Sequence, residues 1–207
     1  MLADLFARAA RGEYPEPDGS VRVLPPGPDG MSAVVAFSAH HVVVTDADPD
    51  WVSSVLPDED LSAPLNPPFL TALCDRTSRV VNNIDQVLVA GPLDGTPELD
   101  LAPATDSKHE RAIRAHGVRT DVRVWTCPGG MVLIGRGLGG RWEVAAEVDG
   151  GSRAKGLGRA LFTAARQLVP SGEPVWAQVA PGNATSARAV LASGYRPVGA
   201  EALLLRR

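Results

Sequence analysis

Arg153, Gly156 and Gly158 stand in an R-x-x-G-x-G spacing, with Lys155 and Arg159 beside them. The run continues as LGRALFTAARQLV, in which Leu161, Phe162, Ala165, Leu168 and Val169 recur at the spacing of one helix face. Glycines at a helix entrance leave backbone N–H groups that have no intrahelical acceptor and point forward. With the positive end of the helix dipole they make an anion site, and phosphate is its usual occupant. A Cβ there would hold phosphate away from the amides. No GxxxxGK[ST] run exists, and the dinucleotide pattern GxGxxG fails because Leu161 stands at its third glycine.

A second group could move protons. Glu143 and Glu147 lie four residues apart in WEVAAEV, hence on one face of a strand. A carboxylate on a core strand is costly unless it is paired or lines a cavity. The two glutamates therefore either act as a base, directly or through water, or form salt bridges to Arg123, Arg136 or Arg141 across the neighbouring strands. His40 and His41 fall at the tip of an expected hairpin and read as an exposed turn, with no third metal ligand in view. His109 and His116 share one face of a helix and read as surface or cleft-edge residues. Cys74 and Cys127 have no metal-ligand spacing, so buried thiols and no metal site are expected.

The elements that must hold these groups follow from pattern. Residues 2–11 read as a short helix, 21–24 as a strand, and 33–38 with 42–45 as a hairpin. Asp48 opens a short helix, and FLTALCDRTS forms another with Phe69, Leu70 and Leu73 on one side. A strand is best placed at 86–90, a long irregular connection follows, and a helix covers about 106–116. From Thr120 the alternation sharpens into three strands, TDVRVWTC, MVLIGRG and WEVAAEV, joined by glycine turns. The glycine loop and its helix come next, then the strand VWAQVA, a helix from Asn183 closed by Gly194, and a last strand, YRPVGAEALLL.

This order and these motifs resemble the GNAT acetyltransferase superfamily. The resemblance rests on Val148, the following DGGS, Arg153-Ala154-Lys155-Gly156-Leu157-Gly158, and then Val175–Ala180, Asn183 and Gly194–Tyr195 at matching distances. It covers residues 120–207 well, and residues 66–118 can supply the rest of such a domain. It implies an α/β GNAT fold: a central mixed, mostly antiparallel twisted sheet flanked by helices. The expected division is 66–207 for that domain and 1–65 for an N-terminal α/β extension.

The resemblance also implies acetyl-CoA as co-substrate and an N-acetyltransferase that moves the acetyl group to a primary amine by direct attack, without an acyl-enzyme. The strands at 142–148 and 175–180 would splay apart and receive the pantetheine arm near Ala146 and Val148. The pyrophosphate would lie on the amides of the loop, so that Arg153, Ala154, Lys155, Gly156, Leu157, Gly158 and Arg159 bind the cofactor. Asn183 would face the pantetheine, cap its helix, or do both. Relatives commonly place a general-acid tyrosine seven residues after that asparagine, where this chain has Val190; Tyr195 is the nearest aromatic hydroxyl. That departure keeps open a catalytically silent acyl-CoA-binding or interaction module. A homodimer is a further expectation of the resemblance.

Composition bounds the partners. The chain of 207 residues can bury a sizeable core, and a formal net charge of −4 disfavours a nucleic-acid footprint. No apolar run approaches the roughly 18 residues of a membrane span, and the start lacks a secretory charge pattern, so no membrane partner and a cytoplasmic location are expected. Richness in Ala, Gly, Pro, Val and Arg suggests a bacterial genome of high GC content.

Overall fold

A computed structural model describes every residue except Asp29, Asp58, Glu59, Ala154 and Ser171. The chain divides into two compact units, one made of residues 1–87 with 198–207, the other of residues 88–197. The division falls inside a strand and returns the last ten residues to the first unit, whereas the sequence pattern suggests a break near residue 65.

In the first unit, helix α1 (Leu2–Ala10) is followed by strands β1 (Val21–Leu24), β2 (Ser32–Phe37) and β3 (His40–Val44), then helices α2 (Pro49–Val55) and α3 (Pro67–Thr77). Strand β4 (Arg79–Ala90) begins here, and the unit closes with most of β10 (Arg196–Arg206). The strand order is β1-β3-β2-β10-β4, with β1 parallel to β3 and β2 antiparallel to both β3 and β10. Val52 of α2 and Phe69, Leu70 and Leu73 of α3 pack on Val34, Val43, Ala202 and Leu204.

The histidine pair differs from expectation. The turn is only Ser38–Ala39, with Ala39 at φ 49°, so both His40 and His41 fall inside β3 and are buried. Asp18 Oδ1 and Ser20 Oγ both approach His40 Nδ1, at 3.0 and 3.1 Å. Burial, and then the neighbouring His40, depress the pKa of His41 below its ordinary value. Strand β4 also starts earlier than its apolar end suggests, because Asn82, Asn83 and Asp85 sit on its more exposed stretch.

The second unit begins with the end of β4. After β4 come the two-residue β5 (Ala102–Pro103), which the sequence pattern leaves inside an irregular connection, and helix α4 (Glu110–Val118). Strands β6 (Thr120–Cys127), β7 (Gly130–Arg136) and β8 (Trp142–Val148) form an antiparallel meander. Helix α5 (Leu157–Leu168), strand β9 (Val175–Val179) and helix α6 (Ala184–Ala192) complete the unit. The strand order is β4-β9-β8-β7-β6-β5, with β9 parallel to β8, which gives a mixed and mostly antiparallel sheet.

Helices cover both faces. Leu161, Phe162 and Ala165 of α5 and Val190 of α6 pack on Val132, Ile134, Val144, Val175 and Ala177. Ala112 and Ala115 of α4 pack on Val124, Met131 and Leu133 from the opposite side. Period-2 alternation explains the split: along β8 Trp142, Val144, Ala146 and Val148 join the α5 side, while Ala145 joins the α4 side with Glu143 and Glu147. Helix α5 ends at Leu168, just ahead of Pro170, which cannot continue it.

Candidate functional site

The site is a fork between two parallel strands, closed at one end by a helix N-terminus. The β8–β9 register runs Trp142↔Val175, Glu143↔Trp176 and Val144↔Ala177, and among the described residues it ends there, although β8 continues to Val148 and β9 to Val179. Asp149 N–H donates to Gly129 O at 2.9 Å, which makes Gly130↔Val148 a non-hydrogen-bonded pair of the β7–β8 ladder. By the alternation of that ladder, Ala146 and Val148 turn their N–H and C=O groups away from β7, toward the β9 side where the ladder has stopped. A guest with amide groups would find strand-like partners there.

Helix α5 begins beside that open edge. Its N-cap, Gly156, has φ 82° and ψ −7°, a left-handed conformation that glycine adopts without steric cost, and no side chain caps the helix. The first intrahelical bond is Ala160 N–H to Gly156 O at 3.1 Å, so the amides of Leu157, Gly158 and Arg159 have no partner in the helix. Among the described residues a Cβ built on Gly156 meets nothing within 4 Å, so conformation and not crowding favours glycine there. Gly158 differs: a Cβ there would sit 3.6 Å from Ala189 Cβ and 3.8 Å from Val148 Cγ2, ordinary contacts. Gly158 therefore marks where α5, α6 and the end of β8 meet, while Gly156 is the position that conformation reserves for glycine.

The flanking cations are exposed. Arg153 Nε reaches Val148 O at 3.5 Å, and Lys155 Nζ donates to Gly151 O at 3.0 Å. Arg159 is exposed on the first turn, and its carbonyl accepts from Ser193 Oγ at 3.0 Å. Ala154 lies outside the described residues. Asn183 caps α6, its Oδ1 accepting from Ser186 N–H at 3.0 Å. The residues present thus fit a pyrophosphate on the α5 amides and a pantetheine arm along β8.

The three proton-transfer candidates have different fates. Glu143 is 3% exposed, and both of its oxygens are taken: Arg119 Nε donates to Oε2 at 2.8 Å and Arg141 Nε to Oε1 at 2.9 Å. Burial alone would raise its pKa, but the two guanidiniums outweigh it and hold the carboxyl below its ordinary range. Of the two roles expected for Glu143, base or salt-bridge partner, this geometry favours the salt bridge, with Arg141 as one of its two partners. Tyr195 is buried, its ring packs edge-on against Phe162 at 6.1 Å, and its hydroxyl donates to Phe162 O at 3.1 Å. Burial raises its pKa far above the ordinary tyrosine value, so it holds its proton.

Glu147 is the remaining candidate. Its side chain is 38% exposed and accepts from Arg111 Nε at 2.7 Å. That hydrogen bond, more than the nearby charges of Arg111, His109 and Arg153, lowers its pKa. Burial raises the pKa of Cys74 and of Cys127, which favours the protonated thiol at both.

Sequence reasoning missed Arg119, Arg111 and Gln178. It also took the glycines of GRGLGG for turn chemistry alone. A Cβ on Gly137 would overlap the Glu143 carboxyl, and one on Gly135 would press on Arg119 Cβ at 3.2 Å and Val122 Cγ2 at 3.1 Å. Two of those glycines make room for the Arg119–Glu143 pair, a role that only the folded backbone discloses.

No family model and no curated protein matches the chain. Among solved structures, the chain is similar to a GCN5-related N-acetyltransferase from Kribbella flavida (17% identity, TM-score 0.43, 67% of this chain and 64% of that one). It is also similar to one from Sphaerobacter thermophilus (14% identity, TM-score 0.39, 66% and 55%). A third is a GNAT-family acetyltransferase from Novosphingobium aromaticivorans (18% identity, TM-score 0.39, 63% and 68%). The chain therefore spans less than two thirds of the length of the first two. Among the described residues no helix is long and apolar enough to cross a membrane, and no group of three or more His, Cys, Asp or Glu could hold a metal ion.

Proposed function

We propose that the second unit binds acetyl-CoA and transfers its acetyl group to a primary amine. One observation carries the reading: the β8–β9 ladder stops at Val144↔Ala177 and the open edge of β8 runs toward the uncapped N-terminus of α5. The pyrophosphate would rest on the amides of Leu157, Gly158 and Arg159, with Arg153 and Lys155 beside it. The pantetheine amides would pair with the backbone of Ala146 and Val148.

In this reaction the amine nitrogen attacks the thioester carbonyl. A C–N bond forms, the C–S bond breaks, and the amine proton leaves. Glu147, on the exposed end of β8, takes that proton directly or through one water, and the departing thiolate is protonated from solvent. A backbone N–H at the open edge of β8 meets the developing oxyanion.

A second reading, an acyl-CoA-binding module without turnover, is favoured by one specific observation: Glu143 and Tyr195 both spend their polar groups inside the fold. Calorimetric titration with acetyl-CoA, followed by CoA release across a panel of amines, separates the two. Saturable binding with turnover on some amine supports transfer. Binding with a flat panel supports the module. A folded protein that binds no acetyl-CoA overturns both.

A further inference from the structure

Arg119 caps the C-terminus of α4, immediately before β6, and its side chain is 13% exposed. Its Nε donates to Glu143 Oε2 on β8 at 2.8 Å, and its Nη2 donates to Gln178 Oε1 on β9 at 3.3 Å. Glu143 belongs to the last registered stretch of the two strands, opposite Trp176, and Gln178 is the first residue past its end. The other guanidinium on Glu143, that of Arg141, lies over the Trp176 ring at 5.3 Å, again joining a β8 partner to β9.

We propose that Arg119 is a positioning residue that ties β8 to β9 where their backbone ladder ends, and so sets the width of the fork; this rests on reading the fork as the pantetheine slot. The argument is geometric. Among the described residues the β8–β9 backbone pairing stops at Ala177, so a side-chain bridge just past that point adds a direct tie between the two strands. A planar guanidinium can bond two acceptors at a fixed angle, whereas an ammonium on a flexible stem cannot hold the same spacing. The fold keeps room for this bridge, since Gly135 and Gly137 lack the Cβ atoms that would crowd Arg119 and Glu143. Burial of the Glu143 carboxylate strengthens the bridge on its β8 side, because that group has only the two guanidiniums to replace water.

The test is amide hydrogen exchange on the ligand-free protein, followed by acetyl-CoA calorimetry, for Gln178→Ala, Gln178→Glu and Arg119→Lys. Gln178→Ala removes the β9 arm and leaves Glu143 doubly paired, so the unit should fold. Exchange at residues 145–148 and 178–180 should quicken about tenfold in Gln178→Ala and Arg119→Lys, as expected for losing a bond to a charged group. Exchange in β6 and β7 should stay as in the wild type. Gln178→Glu keeps an acceptor for Arg119 and should exchange like the wild type. The acetyl-CoA dissociation constant should rise about tenfold in the first two variants and not in the third. Unchanged exchange at the fork in Gln178→Ala, or a loss of protection spread evenly over the unit, overturns the positioning role. Quickened exchange with unaltered affinity in a binding-competent background overturns the link to the slot. A wild type that takes no acetyl-CoA overturns the slot reading alone, since the exchange arm needs no ligand.

Discussion

Strand β8 carries one glutamate near its start and one near its end, on the same face, and the fold gives them opposite characters. At the start, β7 and β9 flank the strand, and Glu143 lies dry between two guanidiniums. At the end, among the described residues, β7 alone is paired with it, and Glu147 is half open to water with Arg111 as its partner. Residue type and strand face are identical, so the difference comes from whether the neighbouring strand is present. Where it is present, the carboxylate becomes a strut whose desolvation is offset only by keeping both partners. Where it departs, the ion pair is screened and contributes about 0–1 kcal/mol, which leaves the group free to serve something else.

The sharpest way to break this contrast is at the strut. Glu143→Gln leaves two guanidiniums without their carboxylate, and we expect a loss of about 3–5 kcal/mol in urea denaturation. Its pH dependence carries the same signature. The folded pKa is depressed, so the contribution is full above the ordinary value of 4.5 and is lost as pH falls below it. The wild type should lose stability across that acid range, and Glu143→Gln should lose less of it.

At the open end the largest effect is on binding. Gly156→Val forces a branched side chain into φ 82°, which turns the first amides of α5. Acetyl-CoA affinity should fall about a hundredfold by calorimetry, the loss of one or two bonds to a charged phosphate. Gly137→Ala comes next. Its Cβ would overlap the Glu143 carboxyl, so overpacking should cost about 1–3 kcal/mol in thermal unfolding. A variant as stable as wild type would mean the strut moves freely, and the contrast between the two ends would blur.

What the residues disclosed in advance follows the same division. Strands 120–127 and 142–148 are found at the limits the sequence suggests, since glycine and proline turns bound the meander around them. Helix α5 and the Asn183 cap were legible for the same local reasons. The Arg119–Glu143–Gln178 bridge was not, since its members are 24 and 59 residues apart and only the tertiary fold brings them together. The strand pattern allows salt bridges from Glu143 to Arg123, Arg136 or Arg141. Arg141 forms one, while Arg136 pairs with Glu173 and Arg123 lies over the Trp142 ring. The buried His40 and His41 were hidden by Ala39, a residue that rarely adopts φ 49° and so gives no turn signal. The division into units falls inside the single strand β4, and no linker or turn signal marks it in the sequence.

The smallest effect tests the open end directly. Glu147→Gln removes an exposed pair, so stability should stay within about 0.5 kcal/mol of wild type, and acetyl-CoA affinity should not change. Turnover should fall about tenfold, the modest loss expected for a base whose pKa lies well below the working pH. Arg111→Ala is the converse. Losing the hydrogen bond that depresses Glu147 returns its pKa toward the ordinary 4.5, which makes the carboxylate a stronger base, and turnover should hold or rise while KM for acetyl-CoA stays fixed. Equal turnover in wild type and Glu147→Gln would reduce this end of β8 to a surface salt bridge. It would also leave the unit with no carboxylate on β8 able to reach an amine, because the only other one is the strut.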